Sequence, residues 1–286
     1  MICSLSSLLQ KAQNGKYAVG AFNVLNLEFA LGIVRAAEKE HAPVILQISP
    51  SVIQFFGMST ILLPCLDLAK NSSTQVCVHL DHGKTEEIIQ QAIVGGFSSV
   101  MFDGSSLAFQ DNLEKTSELT KMAHAMNSEI EAEIGKVGKN EDEKGEGDPF
   151  LKLTNIDEAA TFAKITQIDA MAISIGSIHG IVNQTISLNL DLLQNIREKV
   201  STPLVLHGSS GVKDDSIQKA IQLGITKINV ATRLKKKVAF FLENISIQKG
   251  LTGLIDTTAV SGLIVDAVQS EASDRIRLFG SSHRSH

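Results

Sequence analysis

Histidine is followed by glycine at three places in this chain, and each pair closes an apolar run: Val76-Cys77-Val78-His79-Leu80-Asp81-His82-Gly83, Ala172-Ile173-Ser174-Ile175-Gly176-Ser177-Ile178-His179-Gly180 and Pro203-Leu204-Val205-Leu206-His207-Gly208. Eight histidines and 21 glycines in 286 residues would give fewer than one such pair by chance. Three neutral imidazoles at the ends of buried strands are what a catalytic zinc needs, with its fourth position open. Glycine behind each lets the backbone bend and approach a ligand closely. No compact motif such as His-Glu-x-x-His is present, so the signal is joint rather than local. Asp81 beside His82 is the second chemical feature. A carboxylate at a metal's edge can move a proton on and off a substrate hydroxyl; equally, it can do no more than orient a ligand histidine. His79 reads as core or as a partner behind a ligand, whereas His41, His124, His283 and His286 lack comparable context and read as surface groups.

What must position these residues is a series of strands. Short β-branched runs predict eight: residues 17–22, 43–48, 75–80, 98–102, 128–134, 169–175, 203–207 and 225–230. Segments of helical period lie between them, including 27–40, 85–94, 111–126, 155–165, 190–200 and 214–223, with Thr85 a plausible N-cap. Repeated βα units predict an α/β fold with a parallel sheet, and eight of them predict a closed (β/α)8 TIM barrel whose site lies at the C-terminal strand ends. The strand ends offer Asn23, Ser49, Asp81-His82, Asp103, Glu133, His179, His207 and Asn229 in turn. A doubly wound open sheet would gather such groups near one switch point instead. The barrel is the better reading.

Two loops stand out. After the fifth strand, residues 135–154 carry four glycines and many charges, a length typical of functional lids or disordered segments. After the seventh and eighth strands, Gly208-Ser209-Ser210-Gly211 and Asn229-Val230-Ala231-Thr232 are placed where barrels often hold a phosphate through backbone amides and small hydroxyls. Asp103 and Glu133 point to the same end and could form a second metal position or bond to the histidines. Lys227 is the one evident strand lysine; it reads as a barrel-exterior or strand-edge residue, with a Schiff-base role the competing reading.

The bulk numbers are those of a soluble globular chain, 43% hydrophobic and 20% charged. A net charge of −5 argues against a nucleic-acid partner. The longest apolar stretches, about ten residues, are too short to span a bilayer. The N-terminus lacks the features of a signal peptide. Cys3, Cys65 and Cys77 read as reduced packing thiols of a cytoplasmic protein. No linker divides the chain, so residues 1–286 are expected to form one domain, with a mobile loop at about 135–154 and a helical C-terminal extension at about 250–280.

At these residues the sequence resembles the class II, zinc-dependent ketose-bisphosphate aldolases, from about residue 5 to residue 240. The motifs are Ala21-Phe22-Asn23, Leu80-Asp81-His82-Gly83, Val100-Met101-Phe102-Asp103-Gly104-Ser105, Glu131-Ala132-Glu133-Ile134-Gly135, Ile178-His179-Gly180, Leu206-His207-Gly208 and Lys227-Ile228-Asn229-Val230-Ala231-Thr232. Ala231 occupies a position that is acidic in the fructose-type long-chain branch, so the likeness is closest to the tagatose-bisphosphate branch. The resemblance implies one catalytic Zn2+ on His82, His179 and His207, with Asp103 and Glu133 as alternate or second metal positions and Na+ or K+ nearby. It implies that Asp81 protonates the aldehyde oxygen in condensation and removes the C4 hydroxyl proton in cleavage. Glu141, in the loop, would handle the C3 proton of dihydroxyacetone phosphate. Asn23, Ser49, Gly180, Gly208, Ser209, Ser210, Asn229, Ala231 and Thr232 would surround a phosphorylated sugar. Tagatose 1,6-bisphosphate is the favoured substrate, with fructose 1,6-bisphosphate and 6-phospho-5-dehydro-2-deoxygluconate as alternatives; a non-catalytic phosphosugar-binding barrel is the remote one. A homodimer or homotetramer is implied. Gly20, Asn140, Ser177, Asn183, Ser209 and Arg233 depart from the usual family residues without removing a metal or proton-transfer group.

Overall fold

Alternation along each apolar run is what builds this molecule. In the computed structural model, which describes residues 1–139, 151–181, 183–249 and 256–285 with backbone alone for 139 and 244–249, the runs pair as parallel strands. They are β1 (Val19–Asn23), β2 (Val44–Ile48), β3 (Val76–Gly83), β4 (Ser99–Phe102), β5 (Glu129–Ile134), β7 (Ala170–Ile173), β9 (Leu204–Leu206) and β10 (Ile225–Val230). β10 pairs with both β9 and β1, which closes an eight-stranded barrel. A separate two-stranded ribbon joins β6 (Gly138–Lys139) to β8 (Ile178–His179). The expected TIM barrel is therefore present.

Period two separates the faces of each strand. Outward residues such as Val44, Leu46, Val78, Ile130, Ile173 and Ile228 join the surrounding helices in one large core. Inward residues Val19, Ala21, Ile45, Cys77, Ala170, Ala172 and Val205 form a second, smaller cluster. Helix α1 (Leu5–Gly15), capped by Ser4, completes that cluster with Leu5, Leu8, Leu9 and Ala12, sealing the N-terminal end of the barrel. Further along the same inward face the residues turn polar: Cys77 leads to His79 and Asp81, Glu129 to Glu131 and Glu133, and Val205 to His207. The interior thus grades from apolar plug to polar floor to open site.

Six helices lie where the periodicity predicts them: α2 (Leu27–Glu40), α5 (Glu86–Gly95), α6 (Phe109–Ala125), α7 (Ile156–Thr166), α8 (Leu190–Lys199) and α9 (Asp214–Gln222). Thr85 does cap α5, accepting from the Ile88 amide. The sequence reading passed over α1, and also α3 (Pro50–Phe56) and α4 (Met58–Asn71), whose stretch is masked by Pro50, Gly57 and a proline inside α4, Pro64. After β10 come α10 (Thr232–Lys249) and α11 (Thr257–Leu278). α11 falls within the expected C-terminal extension and lies along α2, where a Cβ on Gly32 would stand 2.8 Å from the Val265 carbonyl oxygen. The Ala18 amide donates to the Phe279 carbonyl at 3.0 Å, tying the end of α11 to the start of the barrel. Among the described residues no single helix is long and apolar enough to cross a membrane.

Two expectations need correction. The sixth barrel strand ends at Ile173, and His179 belongs instead to β8, because Ser174–Ser177 leave the barrel before the chain pairs with β6. Lys227 lies inside the barrel, fully buried, because alternation puts it on the same face as the inward-pointing Asn229.

Candidate active site

Three imidazoles converge at the C-terminal end of the barrel. His82, His179 and His207 each offer a ring nitrogen, and the three nitrogens lie within 4.8 Å of one another. The ring centroids are 4.8, 5.6 and 6.0 Å apart, with the planes near perpendicular at 71° to 84°. His82 reaches this point through a left-handed backbone, φ 52°, at an irregularity in the pairing of β3 with β4. A non-glycine residue in that region is uncommon, and here it aims the ring out of the strand line. Gly208, φ 63°, does the complementary work for His207 and His179. A Cβ there would stand 2.9 Å from the Ile178 carbonyl carbon and 3.1 Å from the His179 amide nitrogen. Only a residue without a side chain lets β8 and the loop after β9 approach so closely.

Each of two ligand candidates is oriented from behind by a carboxylate. His82 Nδ1 donates to Asp103 Oδ2 at 2.9 Å, and Asp103 is itself held by the Ser105 hydroxyl at 2.6 Å. His207 Nε2 donates to Glu131 Oε1 at 2.9 Å. A carboxylate can only accept, so these bonds take up His82 Nδ1 and His207 Nε2 and leave His82 Nε2 and His207 Nδ1 as the nitrogens available to a metal. His207 Nδ1 is buried with no hydrogen-bond partner. Buried polar atoms are ordinarily paired, so an orphan ring nitrogen aimed at two other imidazoles fits a divalent metal. His82, Asp103 and Glu133 also bring ligand atoms within 4.8 Å, a second group able to share an ion.

Asp81 sits beside this cluster, with Oδ1 3.8 Å from His82 Nε2. Its Oδ2 accepts from Asn23 Nδ2 at 2.8 Å and Gln47 Nε2 at 3.3 Å, and its Oδ1 accepts from Asn229 Nδ2 at 3.3 Å. Burial opposes ionisation of Asp81, but the positive character of His82, His207 and Lys227 and the Asn23 amide outweigh it and hold the carboxyl below its ordinary value. Burial likewise opposes the charge on His82, yet Asp81, Asp103 and Glu133 raise its pKa to about 9. Asp103 is held well below the carboxylate range, its burial overcome by the hydrogen bond and charge of His82. Glu133 shifts up because burial dominates its surroundings. Beneath them His79, bonded through Nδ1 to Ser99 Oγ at 2.8 Å, is driven down to about 3 by burial and the Lys227 charge.

The cleft is lined by Asn23, Asp81, His82, His179, Gly180, Gly208, Ser209, Ser210, Asn229, Ala231 and Thr232. It therefore gathers most of the residues singled out in the sequence, with His207 just beneath. The Ser209 hydroxyl donates to the Asn229 carbonyl at 2.6 Å, tying the loops after β9 and β10 together. Ser49 does not belong to this lining. It sits at the N-cap position of α3 with its hydroxyl 2.9 Å from that of Ser51. Glu141 lies outside the described residues. The neck of its loop is closed by paired backbone bonds between Lys136 and Lys152, at 2.8 and 3.0 Å.

Sequence reasoning missed Glu131, Gln47 and the interior position of Lys227. The signal was available in the strand period: Glu131 lies two residues before Glu133, Lys227 two before Asn229, and each pair shares a face.

Comparison with known proteins extends the geometry. The family described as fructose-bisphosphate aldolase class-II matches residues 3–284. The YdjI aldolase from Escherichia coli K12 is 30% identical, each chain covering 100% of the other, with a TM-score of 0.86. A provisionally named fructose-1,6-bisphosphate aldolase from Coccidioides immitis is 28% identical over 98% of this chain and 97% of its own, with a TM-score of 0.87. Fructose-bisphosphate aldolase from Campylobacter jejuni, 20% identical over 99% of this chain and 97% of its own, shares the fold with a TM-score of 0.83. With this match over nearly its whole length, the chain belongs to the class-II fructose-bisphosphate aldolase family and is an aldolase.

Proposed function

We propose that this aldolase is zinc-dependent and reversibly cleaves a ketose 1,6-bisphosphate, with tagatose 1,6-bisphosphate favoured, to dihydroxyacetone phosphate and glyceraldehyde 3-phosphate. The observation that carries the reading is the convergence of His82, His179 and His207 beside Asp81, with carboxylates behind two of the rings. Zinc held by these three histidines would supply Lewis-acid stabilisation for the charge that develops on the substrate's C2 oxygen.

The chain's own groups do the rest. Asp81, held ionised against its burial by the positive character of His82, His207 and Lys227 and by the Asn23 amide, takes the proton of the C4 hydroxyl as the C3–C4 bond breaks. The bond's electron pair moves toward C2, and a carbonyl forms at C4. Asp81 returns the same proton to the aldehyde oxygen in condensation. Glu141, by the family resemblance, delivers the proton to C3. Backbone amides and hydroxyls of Gly180, Gly208, Ser210, Asn229 and Thr232 hold the ketose and its phosphate, and a monovalent cation, Na+ or K+, would add positive charge beside that phosphate. Asp103 and Glu133, with His82, would hold the metal in a displaced position. Ala231 in the cleft lining supports the tagatose type, since the long-chain branch carries an acid at that position.

A Schiff-base mechanism is disfavoured by one observation. Lys227 Nζ is buried at 2.9 Å from Glu131 and 2.8 Å from Asn229, and Lys227 does not line the cleft. The three free thiols suit a cytoplasmic protein; a homodimer or homotetramer is carried over from the family resemblance. The deciding experiment is exhaustive chelation followed by zinc repletion, with kcat/KM compared on tagatose bisphosphate, fructose bisphosphate and the deoxy-ketogluconate phosphate. Cleavage should vanish with chelation and return with zinc. Undiminished turnover in EDTA would overturn the reading.

A further inference from the structure

We propose that Lys227 is a positioning residue that sets the orientation of the ligand histidine His207 and of the proton-transfer carboxylate Asp81 at once. The inference rests on the zinc-aldolase reading above and deepens it. The Lys227 ammonium is fully buried beneath the cleft, near the His79 ring and within hydrogen-bond distance of two polar groups. It lies 2.9 Å from Glu131 Oε2, and it donates to Asn229 Oδ1 at 2.8 Å.

Each neighbour passes an orientation upward. Glu131 uses its other oxygen to accept from His207 Nε2 at 2.9 Å, which leaves the Nδ1 lone pair facing His82 and His179. Without the ammonium, the free oxygen of Glu131 would face only the His79 ring, 3.8 Å away and beyond hydrogen-bond range, an arrangement of a buried carboxylate that proteins avoid by neutralising or reorienting the group. Asn229 is held with its oxygen toward Lys227, so its NH2 group must face Asp81, to which it donates at 3.3 Å. An amide flipped the other way would present oxygen to carboxylate. A lysine has donors for both arms and no acceptor, so it determines which end of each neighbour points at the site.

An apolar residue would fill this interior at lower desolvation cost. The neighbouring positions on the barrel's inward face, Val19 and Val205, are apolar. The charge is therefore explained by the two groups it orders.

The experiment measures zinc affinity by chelator competition, together with kcat, in the full-length protein carrying K227M, E131Q or both. Residues backing a ligand histidine are worth roughly 10- to 100-fold in metal affinity. K227M is expected to weaken zinc binding by that factor and to lower kcat at saturating zinc. E131Q/K227M leaves no unpaired charge inside the barrel and decides the matter if K227M does not fold. Because Lys227 acts on His207 through Glu131, the double variant should bind zinc no more weakly than E131Q. Because the Asn229 arm is separate, it should show a kcat at least tenfold below that of E131Q. Wild-type zinc affinity and kcat in folded K227M would overturn the proposal, as would a double variant with the kcat of E131Q. Failure of the unmodified protein to bind zinc would overturn the parent reading and this inference together.

Discussion

Asp103 stands behind His82, accepting from Nδ1 at 2.9 Å, so the carboxylate selects which ring nitrogen is left for a metal. The same bond, with the charges of Asp81 and Glu133, raises His82 to about 9 against its burial. Asp103 thereby sets the aim of the ligand and, together with the larger effect of Asp81, helps to hold the proton it must lose. Replacing it by D103A should weaken zinc binding by roughly 10- to 100-fold while the fold persists. Competition against a fluorescent chelator measures the change, and an unchanged Kd would show that Asp103 orients nothing.

The pH dependence of the metal-free protein follows from the same residue. His82 has a folded pKa near 9 against 6.5 for free imidazole, so its charged form is stabilised by folding. That contribution is fully present below pH 6.5 and is lost as pH rises through about 9. A metal must displace this proton, so zinc binding between pH 6.5 and 9 should release about one proton from His82. Calorimetry of zinc binding in buffers of different ionisation enthalpy reads it directly. D103A should reduce the release at pH 8.

His79 acts in the opposite sense. Buried beside Lys227, its pKa is lowered to about 3, so the unfolded chain binds a proton that the folded chain refuses. Its contribution is present above pH 6.5 and is lost as pH falls toward 3, with a slope of up to about 1.4 kcal/mol per pH unit. His79→Leu should flatten the acid limb of a plot of urea midpoint against pH. An unchanged limb would assign acid sensitivity to other groups.

How much of this was legible before folding depends on which link carried the information. The barrel, its eight strands and the convergence of Asp81, His82, His207 and Asn229 follow from local apolar runs and their alternation, which sequence displays directly. Sequence places His179 on the correct face but on the wrong strand, because the exit from the barrel at Ser174 depends on pairing between β8 and the distant β6. Lys227 was misplaced because a charged side chain is ordinarily expected outside. Its partner Glu131 lies 96 residues away, and only the closed barrel brings them to 2.9 Å. Ser49 shares its strand's direction, but the turn into α3 spends its hydroxyl on Ser51 instead.

Asp81 is held by three amides and contributes no nitrogen or oxygen to the cluster of three histidines. D81N should therefore separate binding from chemistry. Cleavage should fall by roughly 10²- to 10⁴-fold, the usual worth of a positioned acid–base group, while zinc affinity changes by no more than a few fold. Turnover within threefold of the unmodified enzyme would remove Asp81 from proton transfer.

Gly208 sits in the left-handed region at φ 63°, with the Ile178 carbonyl carbon 2.9 Å from where a Cβ would be. An alanine there meets two costs: about 1–2 kcal/mol for the left-handed backbone, and displacement of β8 to relieve the contact. That displacement moves His179 away from His207, whose ring centroids are now 6.0 Å apart. G208A should consequently weaken zinc binding by more than tenfold, a larger effect than its modest loss of stability would imply. The pairing of the two losses is diagnostic. A variant that loses stability alone would mean that the ribbon of β6 and β8 can shift without disturbing the histidines; a variant that loses metal affinity at nearly constant melting temperature would show that the glycine's role is to let the two ligands meet.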